Sequence, residues 1–412
     1  MTDAADSLDL DDTEAIHGLS RAEFVALSSM ISATIAISID TILPAFDEIE
    51  EALEIEAGSA SLAITVFLAA MGIGMLVWGP LADRYGRKPI IQLSLALFIA
   101  GALVSTFATS FTVFLVGRVI WGVAAAGPRV IGLAIVRDCY SGDLMARIMS
   151  LTAAVFLIVP ILAPGVGEVV LLFGSWRLTP AVAVVLALVV VVWLFRLPET
   201  LDPNNVVPLS ARPLLAAVRT VVTNRVTAAF TLATTFGYAA FFPWLGSSPQ
   251  IINELYDRPG QFALLFGLNA GLMALGIVTT ERLVKRWATL PVVLTATAIL
   301  IGFSIAYIGL SIASDGRPAF WTWFAFACVL TMLNAATTPL MQTLAMEPMG
   351  AVAGMASSVT GAIIFIASAL LASIVDRAIV DTVTPFGVGF LVFTILALAA
   401  MLGSGLRSRA TA

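Results

Sequence analysis

Twelve long apolar blocks constrain this chain more than any other feature. They fall at about 24–46, 61–82, 89–108, 111–134, 147–172, 177–196, 225–247, 260–281, 289–312, 318–342, 352–375 and 384–406. Each is close to the roughly 20 residues that cross about 30 Å of hydrocarbon at ~1.5 Å per residue. Charge does not interrupt them and polarity does not alternate at every second residue, so they read as helices and not as barrel strands. Lipid offers no partner to a free backbone amide, and a helix satisfies its own. Composition removes the soluble alternative. The chain is 59% apolar and 12% charged, with a mean hydropathy of +1.00, whereas soluble domains run near half apolar and about a quarter charged.

Lys and Arg in the short connections set the orientation. With the N-terminus inside, 15 of the 21 basic residues fall in cytoplasmic segments and 4 in outer loops, while Arg118 and Arg129 lie within the fourth block. The expectation is a multi-pass protein of the cell membrane with both termini cytoplasmic. The first 20 residues are acidic (Asp3, Asp6, Asp9, Asp11, Asp12, Glu14), the reverse of the basic start of a cleavable signal. The first block is therefore expected to serve as an uncleaved signal.

Two cysteines, Cys139 and Cys328, suggest no disulfide framework. The only histidine, His17, lies in the tail, which excludes a histidine proton relay in the membrane and a His-rich metal site. No G-x-x-x-x-G-K-[ST] loop, H-E-x-x-H pair or credible nucleophile set is present. The reading is a monomeric non-enzyme with no cofactor, no metal and no nucleic-acid partner. Its partners are the bilayer, protons and a small solute.

The blocks divide six and six. The expected organisation is an acidic cytoplasmic tail (1–23), an N-terminal six-helix bundle (24–197), a cytoplasmic linker (198–224), a C-terminal six-helix bundle (225–406) and a short tail (407–412). The linker carries Pro198, Pro203, Pro208 and Pro213. A weak repeat supports the division: Gly79–Arg84 closes block two and Glu281–Arg286 closes block eight. Repeated membrane halves with a site at their interface are a transporter design. The fold class is thus an all-α membrane protein of 12 helices in two pseudo-symmetric six-helix bundles.

Between blocks two and three stands Gly79-Pro80-Leu81-Ala82-Asp83-Arg84-Tyr85-Gly86-Arg87-Lys88-Pro89. Gly86 permits a tight turn, and Asp83 can face a helix N-terminus or an arginine. Arg84, Arg87 and Lys88 are expected to stay in water as topogenic charge. A basic inner loop explains the charge but not the ordered pattern, which resembles the G-x-L-a-D-r-x-G-r-k signature of the major facilitator superfamily.

Further runs are similar to the Bcr/CflA group of drug/proton antiporters. They are Ile37–Ala45, Gly117-Arg118-Val119-Ile120-Trp121-Gly122 (Trp121 where Gln is usual), Ala134–Gly142 with Arg137 and Asp138, Gly246–Pro249 and Ala345–Gly354. The fifth-block motif G-P-x-x-G-G, which the family links to the direction of exchange, stands here as Ala163-Pro164-Gly165-Val166-Gly167-Glu168. Its first and last glycines are replaced. The resemblance implies the major facilitator fold, proton-coupled drug efflux by alternating access, and an inner gate at the Gly79–Pro89 loop.

Charges within a bilayer are costly and are functional candidates. Asp40 and Arg118 each lie about seven residues from the outer end of their block, roughly 10 Å of helix. In the resembled fold the two spans line the central cavity, so Asp40 and Arg118 can face each other or share water there. Burial disfavours a carboxylate and a nearby cation favours it, which suits proton coupling. The plainer alternative is that Asp40 fixes a kink before Pro44 or sits among headgroups.

Glu168 reads either as a second titrating or cation-attracting group at the outer mouth, or as a snorkelled headgroup carboxylate. Arg129, near the inner end of the fourth block, reads as a gate or interface charge rather than a substrate ligand. The outer acids Asp47, Glu48, Glu50, Glu51, Glu54 and Glu56 read as a solvated face or as a field that favours cations. Tyr238, Trp244, Asn269, Asn334 and Gln342 are candidates to line a substrate cavity, since apolar walls with a few polar groups suit a drug-like ligand. A metabolite exporter or importer of the same fold is an alternative, and a non-transporting receptor or scaffold is an alternative of another class.

Overall fold

The computed structural model describes residues 19–206 and 211–405. The tail through residue 18 with His17, residues 207–210 with Pro208, and residues 406–412 with Arg407 and Arg409 lie outside the described residues. The chain forms α1 (Arg21–Asp40), α2 (Phe46–Ala52), α3 (Leu62–Tyr85), α4 (Arg87–Thr106), α5 (Phe111–Cys139), α6 (Gly142–Leu171) and α7 (Thr179–Leu194). There follow α8 (Ala211–Thr223), α9 (Arg225–Gln250), α10 (Phe262–Trp287), α11 (Thr289–Ala313), α12 (Phe320–Met346), α13 (Ala353–Ala378) and α14 (Thr384–Gly403). Twelve helical stretches among the described residues are long and apolar enough to cross a membrane, and each overlaps one of the twelve apolar blocks.

Capping explains several starts. Ser20 Oγ accepts from the Glu23 amide at α1, Ser110 Oγ from the Val113 amide at α5, and Asn224 Oδ1 from the Val226 and Thr227 amides at α9. Helices run past their apolar blocks where charge takes over. The fourth block ends near 134, yet α5 continues to Cys139. A helix hydrogen-bonds itself in water as well as in lipid, so hydropathy marks the hydrocarbon and not the helix end. In α9, Pro249 removes an amide donor, and the helix passes into a π turn over Ile251–Leu255.

The stretch read as a linker contains α8, whose Ala217 and Val221 are buried against Met349, Ala356 and Val359. Thirteen residues with interspersed Arg212 and Arg219 are too short and too charged to register as a membrane block. Their apolar face is helical in period and not continuous.

Small residues let helices approach closely, as expected where lipid removes the hydrophobic drive between them. Gly74 of α3 faces the Val123 carbonyl of α5, and Gly122 of α5 faces the Phe67 carbonyl of α3; a Cβ at either would collide with backbone. The outside of the bundle is apolar, with Val185, Val192, Leu264 and Ile374 exposed, which is the surface a bilayer solvates.

One face holds both ends of the described chain. Trp193 Nε1 donates to Glu23 at 2.9 Å, joining the end of α7 to the start of α1. Arg225 Nε donates to the Gly403 carbonyl at 2.7 Å, joining α9 to α14. We call this the terminal face and the opposite one the distal face. The first six spans meet the last six where α3 packs on α13 and α6 on α10.

Candidate functional site

Arg118 lies on α5, fully enclosed. Its Nη1 donates to the Ser38 carbonyl at 2.9 Å and its Nε to the Ala63 carbonyl at 3.2 Å. The guanidinium sits 4.4 Å from the Phe67 ring centre and 4.9 Å from that of Trp121. One side chain thus ties α5 to the last turn of α1 and the first turn of α3, with two aromatic faces adding cation–π attraction. Its Nη2 is buried without a partner.

Asp40, the last residue of α1, is 4% exposed. Among the described residues its carboxylate has no hydrogen-bond or ion-pair partner, and Arg118 does not pair with it. The link between them is two residues of α1 backbone, from the Ser38 carbonyl to Asp40.

The α6 motif packs against the same turn. A Cβ on Gly167 would strike the Thr41 carbonyl, while Gly165 faces open space and Pro164 lies within the helix. Glu168 then reaches across the molecule: its Oε1 accepts from the Ala263 amide at 3.0 Å. That amide belongs to the first turn of α10, whose residue Gln261 supplies no side-chain cap. A carboxylate at a helix N-terminus is favoured by free amides and by the helix dipole. Nearby, Asn253 Nδ2 donates to Asp47 Oδ2 at 3.0 Å, also from the second half to the first. Glu48 accepts from the Trp176 amide and buried Glu50 from the Ala60 amide. The outer acids are therefore not a purely solvated face, since three of them take structural bonds that no local sequence signal announces.

On the terminal face Arg87 bridges Asp83 and Asp138, its Nε standing 2.9 Å from Asp138 Oδ2. This corrects the expectation that Arg87 stays in water: its side chain is 11% exposed. Two carboxylates converging on one guanidinium outweigh its hydration. Arg84 remains exposed. Gly86 takes φ +103°, and Glu199 accepts from the Arg87 and Lys88 amides at 2.8 and 3.2 Å, capping α4. Lys88 Nζ donates to the Phe195 carbonyl. Gly79 faces Ser358 of α13.

A cavity of about 410 Å³ lies between the halves and reaches the terminal face. Ser28, Ser32, Arg129, Arg137, Thr152 and Gln342 are among its lining residues. Arg129 stands 5.2 Å from the Phe365 ring centre, and Tyr238 packs on that same ring. The other candidate cavity residues are elsewhere. Trp244 is stacked between Phe266 and Trp323, the Asn269 amide donates to Thr331 Oγ1, and that of Asn334 donates to the Gly237 carbonyl.

Sequence reasoning missed Asp376. It is 8% exposed on α13 and accepts from Ser247 Oγ at 2.5 Å. The eleventh apolar block ends at 375, so hydropathy leaves Asp376 in a loop, whereas α13 runs on to Ala378.

Residues 26–372 match the Major Facilitator Superfamily. The chain is 26% identical over 391 residues to a bicyclomycin resistance protein homolog of Haemophilus influenzae, covering 94% of this chain and 98% of that protein. It is 29% identical over 294 residues to the multidrug resistance protein MdtL of Salmonella typhi, covering 66% and 74%. In fold it is similar to the proton:xylose symporter XylE of E. coli, with a TM-score of 0.72 at 12% identity over 92% of this chain and 94% of that one. With twelve spans, the Gly79–Pro89 loop and a family match across most of its length, the chain belongs to the major facilitator superfamily.

Proposed function

We propose that this protein exports small amphipathic compounds across the cell membrane in exchange for protons, acting as a monomer by alternating access. The observation that carries the reading is an asymmetry between the two faces. A cavity between the halves reaches the terminal face, while cross-half hydrogen bonds from Glu168 and Asp47 close the distal one. The 15-to-4 bias of basic residues supports a cytoplasmic terminal face. The cavity then collects substrate from inside, and the two six-helix halves rock to release it outside.

Asp40 is our candidate for the proton carrier, with Arg118 holding the turn on which it sits. A buried acid without a cation is stable when protonated, and it can give up its proton when rocking brings water or a donor to it. One charge crossing 100 mV is worth about 2.3 kcal/mol, enough to drive a modest substrate gradient. The Asp83–Arg87–Asp138 cluster would hold the cytoplasmic loop together as the halves move. The relatives named for bicyclomycin and multidrug resistance support drugs as the cargo.

The test is a susceptibility screen of cells expressing the chain, followed by flux in proteoliposomes under an imposed pH gradient. We expect Asp40→Asn to lose gradient-driven transport while keeping substrate exchange at equilibrium. Undiminished gradient-driven transport by that variant would remove Asp40 from the coupling mechanism. Failure of the unmodified protein to lower accumulation of any hit compound would count against export.

A further inference from the structure

We propose that the cargo of this transporter is an amphipathic organic anion, and that Arg129 is the residue that selects it. The inference rests on the export reading and names the substrate class for the same cavity.

The charge of the cavity carries the inference. Its walls come from α1, α3, α5, α6, α12 and α13, so both halves contribute. Two lining residues bear charge, Arg129 and Arg137, and both are cations; no carboxylate lines the space. Among the described residues Arg129 has neither an ion-pair nor a hydrogen-bond partner. Its guanidinium stands 5.2 Å from the Phe365 ring centre. It sits ten residues before the end of α5, about 15 Å from the terminal face by helix rise. Arg137 lies at the rim, close to the Asp83–Arg87–Asp138 cluster, and so offers a first contact and not a deep one.

Arg129 faces the cavity without a counter-ion, and an anionic ligand supplies one through a two-pronged, charge-assisted bond. The rest of the site fits an amphipathic partner. Thr152 Oγ1 is buried without a partner, Ser28, Ser32 and Gln342 add hydroxyl and amide groups, and Ile35, Met75, Leu133 and Met149 are apolar. Behind this wall Phe365, against which Arg129 rests, packs on the Tyr238 and Phe242 rings, so the guanidinium is held from behind and not by a counter-ion. The distal mouth presents exposed Glu51, Glu54 and Glu56, which lower the local concentration of a released anion and so oppose its rebinding from that side.

The experiment measures equilibrium binding to the full chain in nanodiscs, with no proton gradient. The probes are naphthalene-2-sulfonate, anionic at every working pH, and its uncharged analogue naphthalene-2-sulfonamide. We expect the sulfonate to bind at least tenfold tighter than the sulfonamide. Arg129→Gln should weaken the sulfonate about tenfold or more, the loss expected of one hydrogen bond to a charged group, and leave the sulfonamide unchanged. Arg129→Lys should retain most of the sulfonate affinity, which separates lost charge from a misfolded protein.

Equal affinity for the two probes, absence of sulfonate binding, or an Arg129→Gln variant that binds the sulfonate normally would each overturn the proposal. The export reading fails separately. Sulfonate that binds through Arg129 but does not move under a pH gradient refutes export and leaves the anion site standing. Gradient-driven movement of cations or neutral drugs without sulfonate binding refutes the anion site alone.

Discussion

At the scale of single residues, the molecule uses arginine as a clamp in two places, and each clamp has a different partner chemistry. Arg118 holds two backbone carbonyls from two other helices, and Arg87 holds two carboxylates. The fork of the guanidinium makes both possible, because a lysine ammonium is one point with no planar spread. Arg118→Lys should therefore release either the Ser38 or the Ala63 carbonyl and weaken both cation–π contacts. We expect a loss of about 2 kcal/mol in denaturant unfolding of the detergent-solubilised protein, the value of a hydrogen bond to a charged group. Unaltered stability would mean that the last turn of α1 is held by packing alone, and Asp40 would lose its claimed support. The carboxylate of Asp40 shows why such a site is hard to read from sequence. Its position among apolar neighbours announces burial, but the absence of any partner is a property of the assembled helices.

At the scale of elements, the α6 motif departs from the G-P-x-x-G-G pattern it resembles at its first and last positions. Glu168 occupies the place of the last motif glycine and caps α10 of the opposite half. A capping carboxylate contributes about 1 kcal/mol, so Glu168→Gly should shift the balance between distal-closed and distal-open forms by roughly fivefold. Labelling of a single cysteine introduced on the distal turn of α10, in a background lacking Cys139 and Cys328, reads that shift as faster reaction. Glu168→Gln keeps an oxygen acceptor and should show a smaller increase. Equal labelling in all three proteins would show that the Glu168 cap does not bias the distal closure.

The elements themselves were legible because the bilayer imposes one length and one polarity on each span. All twelve blocks overlap observed helices. What was not legible has a common cause. The structural bonds of Glu48, Glu50, Glu168 and Glu199 end on backbone amides of remote segments, and an amide has no sequence signature. The buried role of Asp376 depended on a helix end that hydropathy cannot mark. The α8 helix escaped because its apolar face is periodic and short.

At the scale of the whole molecule, the two faces differ in how the halves are joined, and the difference makes a prediction about motion. The ion cluster of the terminal face joins α3, α4 and α5, all within the first half, so it can ride intact through a rocking movement. The distal bonds from Asp47 to Asn253 and from Glu168 to Ala263 cross between halves, so opening that face must break them. Fixing one of them should hold the molecule in the form seen here. Cysteines placed by Asp47→Cys and Asn253→Cys, joined by a short bifunctional maleimide, are expected to stop net transport by more than tenfold. The cavity should stay open to the terminal face after the cross-link is made, so that a substrate binds the cross-linked protein from that side as tightly as the untreated one. Monofunctional maleimide at the same two positions serves as the control and should leave transport near its starting rate. If the cross-linked protein still transports, the distal contacts do not separate during the cycle. The cavity would then have to exchange substrate by some route other than rocking of the halves.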